Sequence, residues 1–66
     1  MTKFPEVKVK LVGLDGNAFA ILGRVQHAMR RAGVAKDDIE AYLKEATSGD
    51  YNHLLVTTMN TVSCDS

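Results

Sequence analysis

A single cysteine, Cys64, cannot close a disulfide within the chain, and no metal-ligand spacing surrounds it. The usual staples of very small proteins are therefore missing. Tryptophan is absent, proline occurs once, and two Phe and two Tyr are the only aromatics among 66 residues, so the core must be built mainly from aliphatic side chains. No apolar run approaches the roughly 18 to 20 residues that span a bilayer. The start Met1-Thr2-Lys3-Phe4-Pro5-Glu6 lacks the apolar stretch of a secretory signal, which makes the cytoplasm the expected location and a membrane an unexpected partner. Net charge is also lacking, with eight bases set against eight acids.

Length sets the next bound. A chain of this size exposes roughly 4,100 Å² folded against about 10,400 Å² unfolded, and so buries about 60% of its surface. One core fits, and residues 1–66 read as a single small domain with tails at 1–6 and 63–66. Hollowing a drug-sized pocket of roughly 300 to 1,000 Å³ from such a core would remove much of what holds it together, which argues against an enzyme. A composition of 45% hydrophobic residues excludes a disordered chain. Below about 70 to 80 residues a lone core rarely supplies more than about 3 to 5 kcal/mol without a disulfide, a metal or a partner copy. Self-association as a dimer is expected on that ground.

Zero net charge conceals a division. Residues 1–36 hold seven bases and two acids, a surplus of +5, and residues 37–66 hold one base and six acids, a surplus of −5. Two copies oriented basic half to acidic half would form an interface that loosens in salt.

Val7-Lys8-Val9-Lys10-Leu11-Val12 alternates with period two and predicts a half-buried strand, with Pro5 just before it. The strand's backbone groups need a partner. Either Thr61-Val62-Ser63-Cys64 returns to lie beside it, or the same strand of a second copy does. Gly13-Leu14-Asp15-Gly16-Asn17 is dense in turn formers and ends in N-cap residues. A first helix over Ala18–Ala32 follows, with Phe19, Leu22, Val25, Met29 and Ala32 as its apolar stripe, Ala18 and Ile21 widening it, and Arg24, His27 and Arg31 opposite. Gly33 stops it. A second helix spans Lys36–Ala46, with Ile39, Tyr42, Leu43 and Ala46 inward, Asp37 and Asp38 in its first turn, and Glu40 and Lys44 spaced as an ion pair. Asp50 caps a third helix over Tyr51–Asn60, whose apolar set is Tyr51, Leu54, Leu55, Thr58, Met59 and Val62. Its threonines predict fraying at the C-terminal end. The fold class is mostly α: one N-terminal strand followed by three helices, with a short C-terminal strand added if the tail is what pairs back.

Little in the chain points to chemistry. The glycine turn fits neither the P-loop nor the Rossmann pattern. His27, His53 and Cys64 are scattered, and Asp37, Asp38, Glu40 and Glu45 fit a solvated helix face without a cavity. No catalytic, cofactor-binding or metal-binding residue is assigned. The expected interaction surface is Lys8, Lys10, Arg24, His27 and Arg31, which also underlies the alternative of a small nucleic-acid-associated protein. Against that alternative, the third helix has almost no base to offer a groove. Helix three and the tail are expected to expose Asn52, Thr57, Asn60 and Thr61 beside Met59 and Val62, an uncharged polar surface that suits a protein interface.

Two segments, Leu11-Val12-Gly13-Leu14-Asp15-Gly16-Asn17-Ala18-Phe19 with Ile21-Leu22-Gly23, and Glu45-Ala46-Thr47-Ser48-Gly49-Asp50-Tyr51 with Leu54-Leu55, resemble a family of short proteins of bacteria and phages that has no assigned activity. The likeness spans most of residues 9–62. It implies no activity here, and a mobile-element origin implies a small binding protein that modulates a host component. Where that family has serine at the start of the second helix, Ala35 stands here, leaving Asp37 or water to satisfy the helix end.

Overall fold

The structure is a computed structural model that describes residues 2–10 and 17–65. Chain order is β1 (Phe4–Lys10), α1 (Ala18–Arg31), α2 (Lys36–Ala46), α3 (Tyr51–Thr61) and β2 (Val62–Asp65). The residues expected to end the strand and to form the glycine turn, 11–16, lie outside the described residues.

The two strands pair in parallel, so the strand finds its partner within the chain. Register runs Phe4↔Val62, then Lys8↔Ser63, Val9↔Cys64 and Lys10↔Asp65, with an irregularity between Phe4 and Lys8. Pro5 was expected to precede the strand and instead lies inside that irregular stretch. Lacking an N–H, it cannot donate to a ladder, and a bulge is where a strand tolerates it. Its carbonyl is used, accepting from Ser63 Oγ at 2.8 Å. Strand alternation then takes over: Val7 and Val9 are buried, while Glu6, Lys8 and Lys10 are exposed.

Helix α1 starts where Asn17 Oδ1 accepts from the Ala20 N–H at 3.1 Å. It ends in a Schellman turn: Val34 N–H donates to the Met29 carbonyl and Gly33 N–H to that of Arg30, with Gly33 at φ 82°. The buried stripe is Ile21, Val25 and Met29, with Ala18, Leu22 and Ala28 partly covered. Phe19, expected inward, is 85% exposed. At about 100° per residue it falls about 120° from the centre of that stripe, past its partly covered Leu22 edge. Ala32 is also exposed, because the helix stops at Arg31.

Helix α2 buries Ile39, Tyr42 and Ala46, as its spacing predicts. Its N-cap, Ala35, makes no side-chain bond. Among the described residues Lys3 pairs with Asp38 and His53 contacts Glu45, in place of the expected Glu40–Lys44 pair.

Helix α3 differs most from expectation. Asp50 caps it through the His53 N–H at 2.9 Å, but Thr57 and Thr61, expected on the surface, are buried with Thr58 and Val62, and Tyr51 and Met59 face outward. For Thr58 and Thr61 the reason lies in the hydroxyls. Thr58 and Thr61 donate back to the carbonyls of Leu54 and Thr57 at 2.8 and 2.7 Å, so each side chain turns inward without stranding a polar group. The expected fraying has a counterweight in the N-terminal segment, and the helix runs to Thr61. Lys3 N–H donates to the Asn60 carbonyl at 2.8 Å and Thr2 Oγ to that of Met59 at 3.2 Å, satisfying last-turn acceptors, and α3 passes directly into β2. Residues expected to be tails therefore hold the fold: 4–6 belong to β1 and 63–65 to β2.

Candidate functional site

Helices α2 and α3 form a hairpin through the short turn at 47–50, and the furrow between them is a cavity of about 370 Å³. From α2 it takes Asp38, Ala41, Tyr42 and Glu45; from α3 it takes His53, Val56, Thr57 and Asn60. Both sets follow the i, i+3, i+4, i+7 spacing that keeps residues on one helix face. Thr61 of α3 and Phe4 and Lys3 complete it, the last two positioned by the N-terminal bonds to α3.

A polar pair marks each end of the α2 row, an ion pair at one and a histidine–carboxylate contact at the other. At one end Lys3 Nζ lies 3.7 Å from Asp38 Oδ1 and 5.7 Å from the Phe4 ring centroid. Both charged side chains are well exposed, so the pair adds little stability. At the other end His53 Nε2 lies 2.7 Å from Glu45 Oε2. The turn between the helices fixes this contact: a Cβ on Gly49 would stand 2.9 Å from His53 Cβ and Cγ, so the imidazole folds back only over a glycine. Ser48 Oγ sits 3.3 Å from the same Nε2 and donates to the Glu45 carbonyl at 2.7 Å.

Serine, histidine and glutamate meet here, but their geometry is not that of a charge-relay triad. A triad puts the acid on one ring nitrogen and the hydroxyl on the other. Here Glu45 and Ser48 share Nε2, and the arrangement acts as a latch across the turn. Among the described residues no three of His, Cys, Asp and Glu gather as a metal site.

The middle of the furrow is apolar. Ala41 is exposed and Val56 is 48% exposed; Met59, 52% exposed, lies one turn beyond Val56, outside the lining. Below it, Tyr42 is buried and its hydroxyl lies 2.8 Å from Thr58 Oγ. Desolvation pushes the Tyr42 phenol above its usual 10.0.

The residues expected to form the interaction surface fall elsewhere. Lys8, His27 and Arg31 line a second, shallower cavity of about 460 Å³ with Glu6 and Ala28. Lys10 and Arg24 are exposed and do not line it. Lys8, Arg24 and Arg31 make no ion pair among the described residues. Cys64 is a free, exposed thiol in β2, and partial burial pushes it above its usual 9.0, away from the reactive thiolate.

The sequence reading left Asp38 and Glu45 on a plain solvated face, whereas both line the furrow. His53 was weighed only as a scattered histidine, and Lys3, Phe4 and Val56 were not singled out. The repeated i, i+3, i+4, i+7 spacing on both helices was the available signal. Its meaning depends on which faces the hairpin brings together, and that is a tertiary fact. Among the described residues, no helix is long and apolar enough to cross a membrane. No protein-family model, curated protein or solved structure matches the chain.

Proposed function

We propose that this chain is a non-enzymatic protein-interaction module of the cytoplasm that self-associates as a dimer through the surface formed by α2 and α3. The observation that carries the proposal is the outer side of α3. This helix contains no Asp, Glu, Lys or Arg, and it holds Val56 and Met59 about half exposed beside a furrow with an apolar middle. In a chain of which 24% is charged, an exposed helix without formal charge is unusual, and depletion of charge with retained Met is the composition of an interface core. The likeness to short phage and bacterial proteins supports a further step, in which the module binds and modulates a host protein.

Light scattering over a range of protein concentrations tests the proposal. Mass should rise toward twice that of the monomer, and Val56→Lys should hold it at the monomer value while the helical circular-dichroism signal stays intact. A wild-type chain that stays monomeric and melts cooperatively at every concentration overturns the proposal.

One observation favours a second reading, a nucleic-acid-associated protein: the structure gathers Lys8, His27 and Arg31 around one cavity. Glu6 in the same lining opposes a phosphate. Titration with duplex DNA and single-stranded RNA at low salt decides it, because phosphate-driven binding falls steeply as salt rises.

A further inference from the structure

We infer that the furrow between α2 and α3 receives the outer face of α1 from a second copy of the chain, each copy of the dimer giving its α1 to the other. This rests on the self-association proposed above and adds which surfaces meet.

The first argument is spacing. Asp38 and Glu45 stand seven residues apart on α2, at the two ends of the furrow's α2 wall. Arg24 and Arg31 stand seven residues apart on α1, both exposed. Each interval spans about 10.5 Å of helix axis, so two arginines can meet two carboxylates in one register. The second argument is that both sets have charge to spare. Helix α1 carries three arginines and no acid, and none of them is ion-paired among the described residues. Asp38 commits Oδ1 to Lys3, and Glu45 commits Oε2 to His53 and Ser48; Asp38 Oδ2 and Glu45 Oε1 have no hydrogen-bond partner among the described residues. Lys3 is the like charge an incoming arginine meets at the Asp38 end. Its own contact there is loose, and its ammonium already leans over the Phe4 ring.

Shape supplies the third argument. Between the two carboxylates the furrow offers Ala41 and Val56. On α1 the exposed His27 lies between the two arginines, and Gly23, where a Cβ would meet nothing within 4 Å, lies just outside them beside Arg24. In the register that pairs the arginines with the carboxylates, His27 meets the apolar middle of the furrow and the low point at Gly23 meets its rim, so the helices would pack at about 8 to 10 Å, the range typical of packed helices. The contact joins opposite charges, so it should weaken as salt rises from about 0.01 to about 1 M and the Debye length shrinks from about 30 to about 3 Å.

Charge reversal tests the pairing. The variant Arg24→Glu/Arg31→Glu and the variant Asp38→Lys/Glu45→Lys should each be monomeric alone, with dissociation constants raised about ten-fold or more. Mixed one to one, they should form a heterodimer, because each then presents the sign the other needs. Gly23→Gln is the second variant. A Cβ there meets nothing within 4 Å in its own chain, so the variant should preserve or raise the melting temperature of the monomer while weakening association about ten-fold. If the wild type dimerises but the mixed variants stay monomeric, or Gly23→Gln dimerises normally, this pairing is wrong and self-association stands. Assembly beyond two copies would replace the reciprocal dimer by head-to-tail growth. If the wild type is monomeric at every concentration, both proposals fall together.

Discussion

Tyr42 and Thr58 meet in the core through hydroxyls 2.8 Å apart, and a count of protons fixes the direction of that bond. Thr58 has one O–H, and it donates to the Leu54 carbonyl. Tyr42 must therefore donate to Thr58. Tyr42→Phe leaves the Thr58 hydroxyl with its own acceptor, so its loss is limited to a net hydrogen bond of about 0.5 to 1.5 kcal/mol. Thr58→Val strands a buried phenol and should cost more, about 1 to 3 kcal/mol. The double variant should cost clearly less than the two singles together. Urea unfolding of the four proteins measures this, and a Tyr42→Phe loss larger than that of Thr58→Val would show the bond to run the other way. The same phenol sets an alkaline limit. In the unfolded chain it ionises near pH 10, while burial holds the native group above that. Between those two values the unfolded chain binds fewer protons than the native one, so the contribution is full below about pH 10 and is lost as pH rises through the native value. In Tyr42→Phe that part of the decline should vanish.

Helix ends carry the next level of specification, and here the chain is uneven. Asn17 and Asp50 cap α1 and α3 with side-chain bonds, whereas Ala35 gives α2 none. Ala35 is exposed and already has the non-helical backbone of an N-cap, φ −60° and ψ 144°. A serine there can accept an orphan N–H of the first turn without moving the chain. Ala35→Ser should stabilise by about 1 kcal/mol, a rise in melting temperature of about 4 to 8 °C for a domain of this size. A scanning calorimetry trace showing no rise would mean that solvent already satisfies that end fully. Caps, the Gly33 stop and the α2 stripe were legible in the sequence because each is decided within a few residues. Phe19, Thr57 and Met59 were not, because at the edge of a stripe burial depends on the neighbouring element. For the same reason Asp38 and Glu45 looked like plain surface: their row gains meaning only when α3 lies beside it. The size argument against a pocket holds for a hollow core, but it does not reach a furrow between two helices on the surface.

At the scale of the molecule, the fold is closed by its two ends. β1 and β2 pair across more than fifty residues, with all three helices forming the parallel crossover between them. That an isolated strand needed a partner was legible from backbone chemistry; that the partner was the chain's own end required the helices to bring it back. The closure makes the last residues structural. Val62 is fully buried, and β2 pairs with the strand that places Val7 and Val9 in the core. Burial of one such side chain is worth about 1.5 to 3 kcal/mol, and a chain of this length has a total stability of only about 3 to 10 kcal/mol at 0.05 to 0.15 kcal/mol per residue. Truncation after Thr61 removes Val62, uncovers two valines and leaves β1 without its ladder, a combined loss comparable to the whole. The truncated chain should therefore show no cooperative thermal transition and lose amide protection throughout β1, even where α1 retains helical signal. Cooperative melting within a few degrees of the full chain would mean that the three helices hold together without the sheet, and the strand pair would then be an addition to the fold and not its closure.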